Sequence, residues 1–118
     1  GIEYLANSSS NKKMLDVIDY LNEHLTDDIS IDFLADTFFL SRYHLMHAFK
    51  EETGYTIGNY LTTKRLLLAR DLIQQGKPIT NVCYECGFRN YSTFSRAYKK
   101  NFGSSPREQF HQQTAHSK

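Results

Sequence analysis

Two stretches of this chain match each other at a fixed offset. Leu45 pairs with Phe94, Ala48 with Ala97, Phe49 with Tyr98, Lys50 with Lys99 and Gly54 with Gly103, each 49 residues apart. Just upstream the match continues at an offset of 48, Ala35 with Cys83 and Leu40 with Phe88, so Arg89 is one extra residue in the second copy. Each copy reads as a short helix, a tight turn and a longer helix. Ala35 and Cys83 put a small residue in the short helix where a crossing helix needs close approach. Any fold for this chain must build the same small unit twice.

The rest of the pattern is helical as well. Met14, Leu15, Val17, Ile18, Leu21 and Leu25 recur at three- and four-residue steps. Ser30 is a good N-cap for a short helix with apolar positions Phe33, Leu34, Ala35 and Phe38. Ser41 caps a third helix with Leu45, Ala48 and Phe49 inward and Gly54 as its stop. A longer helix is predicted from Ile57 to Gln75, with an apolar stripe of Ile57, Tyr60, Leu61, Leu68, Leu72 and Ile73 widened by Leu66, Leu67 and Ala69. Gly76 ends it and Pro78 opens the next helix, which carries Ile79, Val82, Cys83 and Cys86. Asn90 caps a further helix with Phe94, Ala97, Tyr98 and Phe102 inside, Gly103 ends it, and Pro106 opens a last one holding Phe110. No stretch alternates like a strand. The expectation is an all-α chain of about seven helices: two helix-turn-helix subdomains, residues 11–56 and 77–113, joined by a long linking helix over 57–76. Residues 1–10 read as a linker or a vector-derived remnant, with a further domain upstream, and 114–118 as a tail.

Composition sets the limits. A chain of 118 residues with 40% hydrophobic and 23% charged residues suits one domain or two very small ones. The longest strictly apolar run is Leu66-Leu67-Leu68-Ala69, too short to span a membrane. No signal-peptide pattern is present, and two cysteines in such a chain fit a reducing, cytoplasmic setting. The formal net charge of +1 hides a division. Residues 1–60 carry four basic and ten acidic groups, a net −6, and residues 61–118 carry ten basic and three acidic, a net +7. Such asymmetry points to an anionic partner.

The second copy reads Ile79-Thr80-Asn81-Val82-Cys83-Tyr84-Glu85-Cys86-Gly87-Phe88, then Tyr91-Ser92-Thr93-Phe94-Ser95-Arg96-Ala97-Tyr98-Lys99-Lys100, then Asn101-Phe102-Gly103-Ser104-Ser105-Pro106. This resembles the signature of the AraC/XylS family of bacterial transcription regulators. Its Gly-Phe turn, Phe-Ser-Arg helix core and Phe-Gly-x-Ser-Pro ending all fit. The first copy, from Ser41-Arg42-Tyr43-His44-Leu45 to Lys50 and Gly54, is similar to the family's first motif. Tyr60-Leu61, Arg65, Ala69 and Leu72-Ile73 fit its linking helix. Cys83 stands where Ala is usual, and Met46 and His47 replace the polar-plus-Arg character common in the first reading helix. The resemblance covers residues 11–111. It implies activation or repression of transcription initiation on double-stranded promoter DNA, usually through contact with RNA polymerase, and, as in many relatives, a separate effector-binding and dimerising domain outside this chain.

In a helix-turn-helix the second helix lies in the major groove with its N-terminal residues near base edges. Removing the core positions leaves Arg42, Tyr43, Met46 and His47 as base readers in the first copy and Tyr91, Ser92, Ser95 and Arg96 in the second. Arg96 is the strongest candidate, because a guanidinium contacts guanine O6 and N7 together. Tyr43, Met46 and Tyr91 suit a thymine methyl, and His47 suits a guanine acceptor. Helix-start groups Ser41, Thr56, Asn90 and Ser105, with Lys50, Lys99 and Lys100, are expected at phosphates, although the short side chains could equally serve as plain caps. A linking helix about 28 Å long would set two reading helices toward major grooves about 34 Å apart, with the DNA bent if that helix is rigid.

Competing readings remain open on the residues alone. Cys83-Tyr84-Glu85-Cys86 is a CxxC, which fits a redox pair or half a zinc site. Both cysteines, however, fall on a buried stripe and no second CxxC exists. His44, His47 and Glu51 share one helix face at metal-ligand spacing, yet His44 sits at a partly core-facing position. A helical protein-interaction module is the remaining alternative. No Gly-rich phosphate loop or nucleophile arrangement occurs, so neither an enzyme nor a cofactor or metal is expected.

Overall fold

The structure is a computed structural model describing the backbone of residues 2–116 and the side chains of residues 12–112. It contains α1 (Ile2–Glu23), α2 (Ile31–Thr37), α3 (Arg42–Thr53), α4 (Ile57–Gln74), α5 (Ile79–Glu85), α6 (Tyr91–Phe102) and α7 (Pro106–His116). Among the described residues there is no strand.

The chain divides between Leu61 and Thr62 into two compact units. The core of the first unit is Met14, Val17 and Leu21 of α1, Leu34 and Ala35 of α2, Leu45 and Phe49 of α3, and Ile57 and Leu61 of α4. The core of the second is Leu66, Ala69 and Ile73 of α4, Val82, Cys83 and Cys86 around α5, and Phe94 and Tyr98 of α6. The predicted linking helix thus contributes its first turns to one core and its remainder to the other.

The duplication holds at the level of hydrogen bonds. The Leu40 N–H donates to the Ala35 carbonyl at 2.8 Å, and the Phe88 N–H to the Cys83 carbonyl at 3.1 Å. Ser41 Oγ accepts from the His44 N–H, and Asn90 Oδ1 from the Thr93 N–H, both at 3.1 Å. Gly54 and Gly103 close their helices at φ 81°, the left-handed conformation that only glycine adopts without penalty. The turns differ at one residue: Gly87 takes φ 97°, while its counterpart Phe39 takes φ 57° with a full side chain.

Two expectations are corrected. The helix predicted from Lys12 continues back to Ile2, through the residues read as a linker. Residues 14–21 already anchor it, and extending an existing helix needs no new nucleus. Nothing in Ile2-Glu3-Tyr4-Leu5-Ala6 stops the extension, for it holds no Gly or Pro. Likewise α7 runs to His116, past the predicted boundary at 113. Second, Leu15, Phe33 and Leu67 were expected inside and are exposed. Each sits one residue from a buried neighbour (Met14, Leu34, Leu66) and so is turned about 100° away from the core.

Candidate nucleic-acid interface

In the first unit, α3 begins at the Ser41 cap, and the reading face follows from its register. Leu45 and Phe49 are buried, which leaves Arg42, Tyr43, Met46, His47 and Lys50 exposed on the other side. Arg42 Nη1 donates to Asp32 Oδ1 on α2 at 3.2 Å. The Tyr43 and His47 rings lie parallel, 9° apart, with centroids 5.6 Å from each other. His47 Nε2 stands 3.7 Å from Glu51 Oε2. Tyr43, Met46, His47, Lys50 and Glu51 line an open groove of about 610 Å³ together with Thr56 and Ile57 at the start of α4. His44 is exposed, not partly core-facing, and its Nδ1 meets Ser41 Oγ at 2.8 Å. Its ring is therefore held back at the helix start and is not gathered with His47 and Glu51 into a ligand set. Among the described residues there is no cluster of three metal-ligating side chains.

In the second unit, burial of Phe94 and Tyr98 turns Ser92, Arg96, Lys99 and Lys100 of α6 outward. Two members of the expected reading set are placed differently. Ser95 is half-buried. Tyr91 is half-buried too, with its ring edge-on to Phe94 at 5.9 Å and packed against the core. The ring that was to face a thymine methyl thus anchors the start of α6. From 89 to 102 the sequence holds Arg89, Arg96, Lys99 and Lys100 and no acidic residue.

The four short polar side chains expected at phosphates all cap helices. Ser41 and Asn90 do so as described above; Thr56 Oγ1 accepts from the Asn59 N–H at 3.1 Å and Ser105 Oγ from the Glu108 N–H at 3.2 Å. A side-chain cap satisfies one helix-start donor and leaves others directed outward, so capping and anion contact are compatible. Thr56 and Ser105 are 49 residues apart, so the repeat extends past Gly54 and Gly103 to the start of the following helix. The matching runs Gly54-Tyr55-Thr56-Ile57 and Gly103-Ser104-Ser105-Pro106 carried that signal. The Asp32–Arg42 pair was missed, because it joins two helices and no single-helix periodicity contains it.

Cys83 and Cys86 are buried free thiols. Burial raises Cys83 above 9.0; burial, then the negative charges of Glu85 and Cys83, push Cys86 up to about 11. Such thiols hold almost no thiolate at neutral pH and behave as small core residues.

A helix-turn-helix domain model matches residues 34–112, a span that begins within α2 and takes in α3, α4, α5 and α6. An AraC-type DNA-binding protein structure from Chromobacterium violaceum is 30% identical and superposes with a TM-score of 0.77 over 90% of this chain and 96% of its own. The chain belongs to the AraC/XylS family. This is a family of DNA-binding transcription regulators, not of enzymes. The HTH-type transcriptional activator RhaS of Escherichia coli is 36% identical over 107 residues. That match takes in 90% of this chain and 38% of RhaS, so the chain spans well under half of its curated relatives. The DNA-binding domain of the global transcriptional factor AdpA, solved with a target DNA, is 26% identical with a TM-score of 0.80, covering 87% of this chain and 94% of that one.

Proposed function

We propose that the chain reads double-stranded promoter DNA with α3 and α6, each entering a major-groove segment, the two segments one helical turn apart. The observation that carries this is the duplication itself: two capped helices, each with one face spent on its own core and the other free to meet bases. AdpA's structure with a target DNA supports the same reading.

Arg96 is the first reader, through guanine O6 and N7, with Ser92 and Ser95 beside it. On α3, Tyr43 and Met46 present apolar surface to thymine methyls, His47 donates to guanine, and Arg42 reaches bases from the first helical position. Helix-start amides around Ser41, Thr56, Asn90 and Ser105 meet phosphates, with Lys50, Lys99 and Lys100 adding charge. α4, about 27 Å long, spaces the two motifs. The whole protein activates transcription in contact with RNA polymerase, in the cytoplasm, and carries an effector-binding and dimerising domain beyond this chain. RhaS is a transcriptional activator, which supports activation, and only 38% of it is matched here, which supports a further domain.

The test is the salt dependence of binding to a duplex. Five or more phosphate contacts predict that log affinity falls against log salt with a slope of about −4 or steeper. Lys100→Ala should weaken all duplexes alike and flatten that slope by about one. A flat slope, or no binding at 50 mM salt, would overturn the proposal and favour a protein-binding role for the helical surface.

A further inference from the structure

The two reading helices are built differently at their first residue. In α6 that residue, Tyr91, is packed on Phe94. In α3 it is Arg42, exposed and tied to the chain's own carboxylate at Asp32 by a 3.2 Å hydrogen-bonded ion pair. The counterpart of Asp32 in the second copy is Thr80, so only the first copy has such a pair.

The first position of a reading helix is where side chains come nearest base edges. An unheld arginine there can swing to any of several phosphate oxygens, which adds affinity without selectivity. Asp32 changes that choice. Its carboxylate accepts from one Nη1 N–H of the guanidinium and so biases where the remaining donors point, and it repels a phosphate that would otherwise capture the cation. A guanine edge, which presents O6 and N7 as neutral acceptors, brings no comparable repulsion. Both residues remain well exposed, with relative side-chain exposures of 62% for Arg42 and 73% for Asp32, so the pair is weak enough to yield some geometry to a base.

We infer that Asp32 is a positioning residue for specificity: it holds Arg42 for base contact at the start of α3 and keeps it off the phosphates. This rests on the proposed DNA reading.

The experiment measures the affinity of this chain for two short duplexes, its best site from a random pool and a scrambled sequence of equal length. Asp32→Asn should bind the scrambled duplex several-fold more tightly and cut the ratio between the two by about tenfold, the scale of one lost base contact. Asp32→Glu should restore most of the ratio. Arg42→Ala alone should lower the ratio, and Asp32→Asn added to it should lower it no further. An unchanged ratio in Asp32→Asn, or an equal drop with and without Arg42, would overturn the role of Asp32. An unchanged ratio in Arg42→Ala would overturn it too while leaving DNA reading by the other residues intact. A wild-type chain that does not distinguish the two duplexes would overturn the DNA reading itself. Thermal unfolding of each variant separates loss of fold from loss of selectivity.

Discussion

Phe39 holds φ at 57° with its side chain 90% exposed, while the same turn in the second copy uses Gly87. A side chain in the left-handed region costs about 1–2 kcal/mol, and this one recovers little by burial. Phe39→Gly should therefore raise the urea midpoint of the first unit, by about 1 kcal/mol in stability after the entropy of the freer unfolded chain is deducted. A lower midpoint would show that the ring makes contacts worth more than the strain. The Phe49–Tyr98 correspondence offers a second comparison. The Tyr98 hydroxyl is buried without a hydrogen-bond partner, whereas Phe49 fills the matching site with no polar atom. Tyr98→Phe should leave stability unchanged or raise it by about 1 kcal/mol, and Phe49→Tyr should cost about 1–3 kcal/mol. Burial pushes the Tyr98 hydroxyl from 10.0 up to about 12, with the Arg70 cation pulling the other way. The folded state keeps this proton longer than the unfolded state does. Its contribution is whole below pH 10 and is lost as pH rises to about 12. Melting curves between pH 9 and 12 should fall less steeply for Tyr98→Phe than for wild type; equal slopes would contradict this.

At the scale of elements, the glycines sort by backbone conformation. Gly54 and Gly103 end α3 and α6 at φ 81°, with open space around a Cβ, so conformation alone opposes alanine there. Gly58 lies inside α4 with similar space and no positive φ. Gly54→Ala and Gly103→Ala should each destabilise by about 1 kcal/mol, and Gly58→Ala should stabilise by about 0.5–1 kcal/mol in calorimetry. The same sign at all three positions would refute the assignment. The elements were legible in the sequence because local signals agreed: Ser41 and Asn90 at starts, Gly54 and Gly103 at stops, apolar residues at helical steps. Individual side chains on an element's flank were less so. Leu15, Phe33 and Leu67 look like core residues because periodicity marks a wide arc, while the neighbouring helices cover a narrower one. Tyr91 looked like a reader because only tertiary packing on Phe94 turns its ring inward. The Asp32–Arg42 pair depends on how α2 crosses α3, which no count along one helix contains.

For the whole molecule, a net charge of +1 is a poor guide to its partner. The second half carries +7, and α6 with the residue before its cap holds four cations and no carboxylate. The first half carries −6, and on α3 Arg42 and His47 each lie beside a carboxylate of the chain. On the proposed DNA reading, charge of this kind gives most of the electrostatic affinity to the second motif and leaves the first to discriminate by shape, helix-start amides and direct contacts. No described helix is long and apolar enough to cross a membrane. The central claim is that one chain reads DNA twice, and selection of bound duplexes from a random pool tests it most directly. The account predicts two short conserved blocks centred about 10 base pairs apart, with Arg96→Ala erasing preference at one position of a single block. A single block, or no enrichment at all, would contradict it.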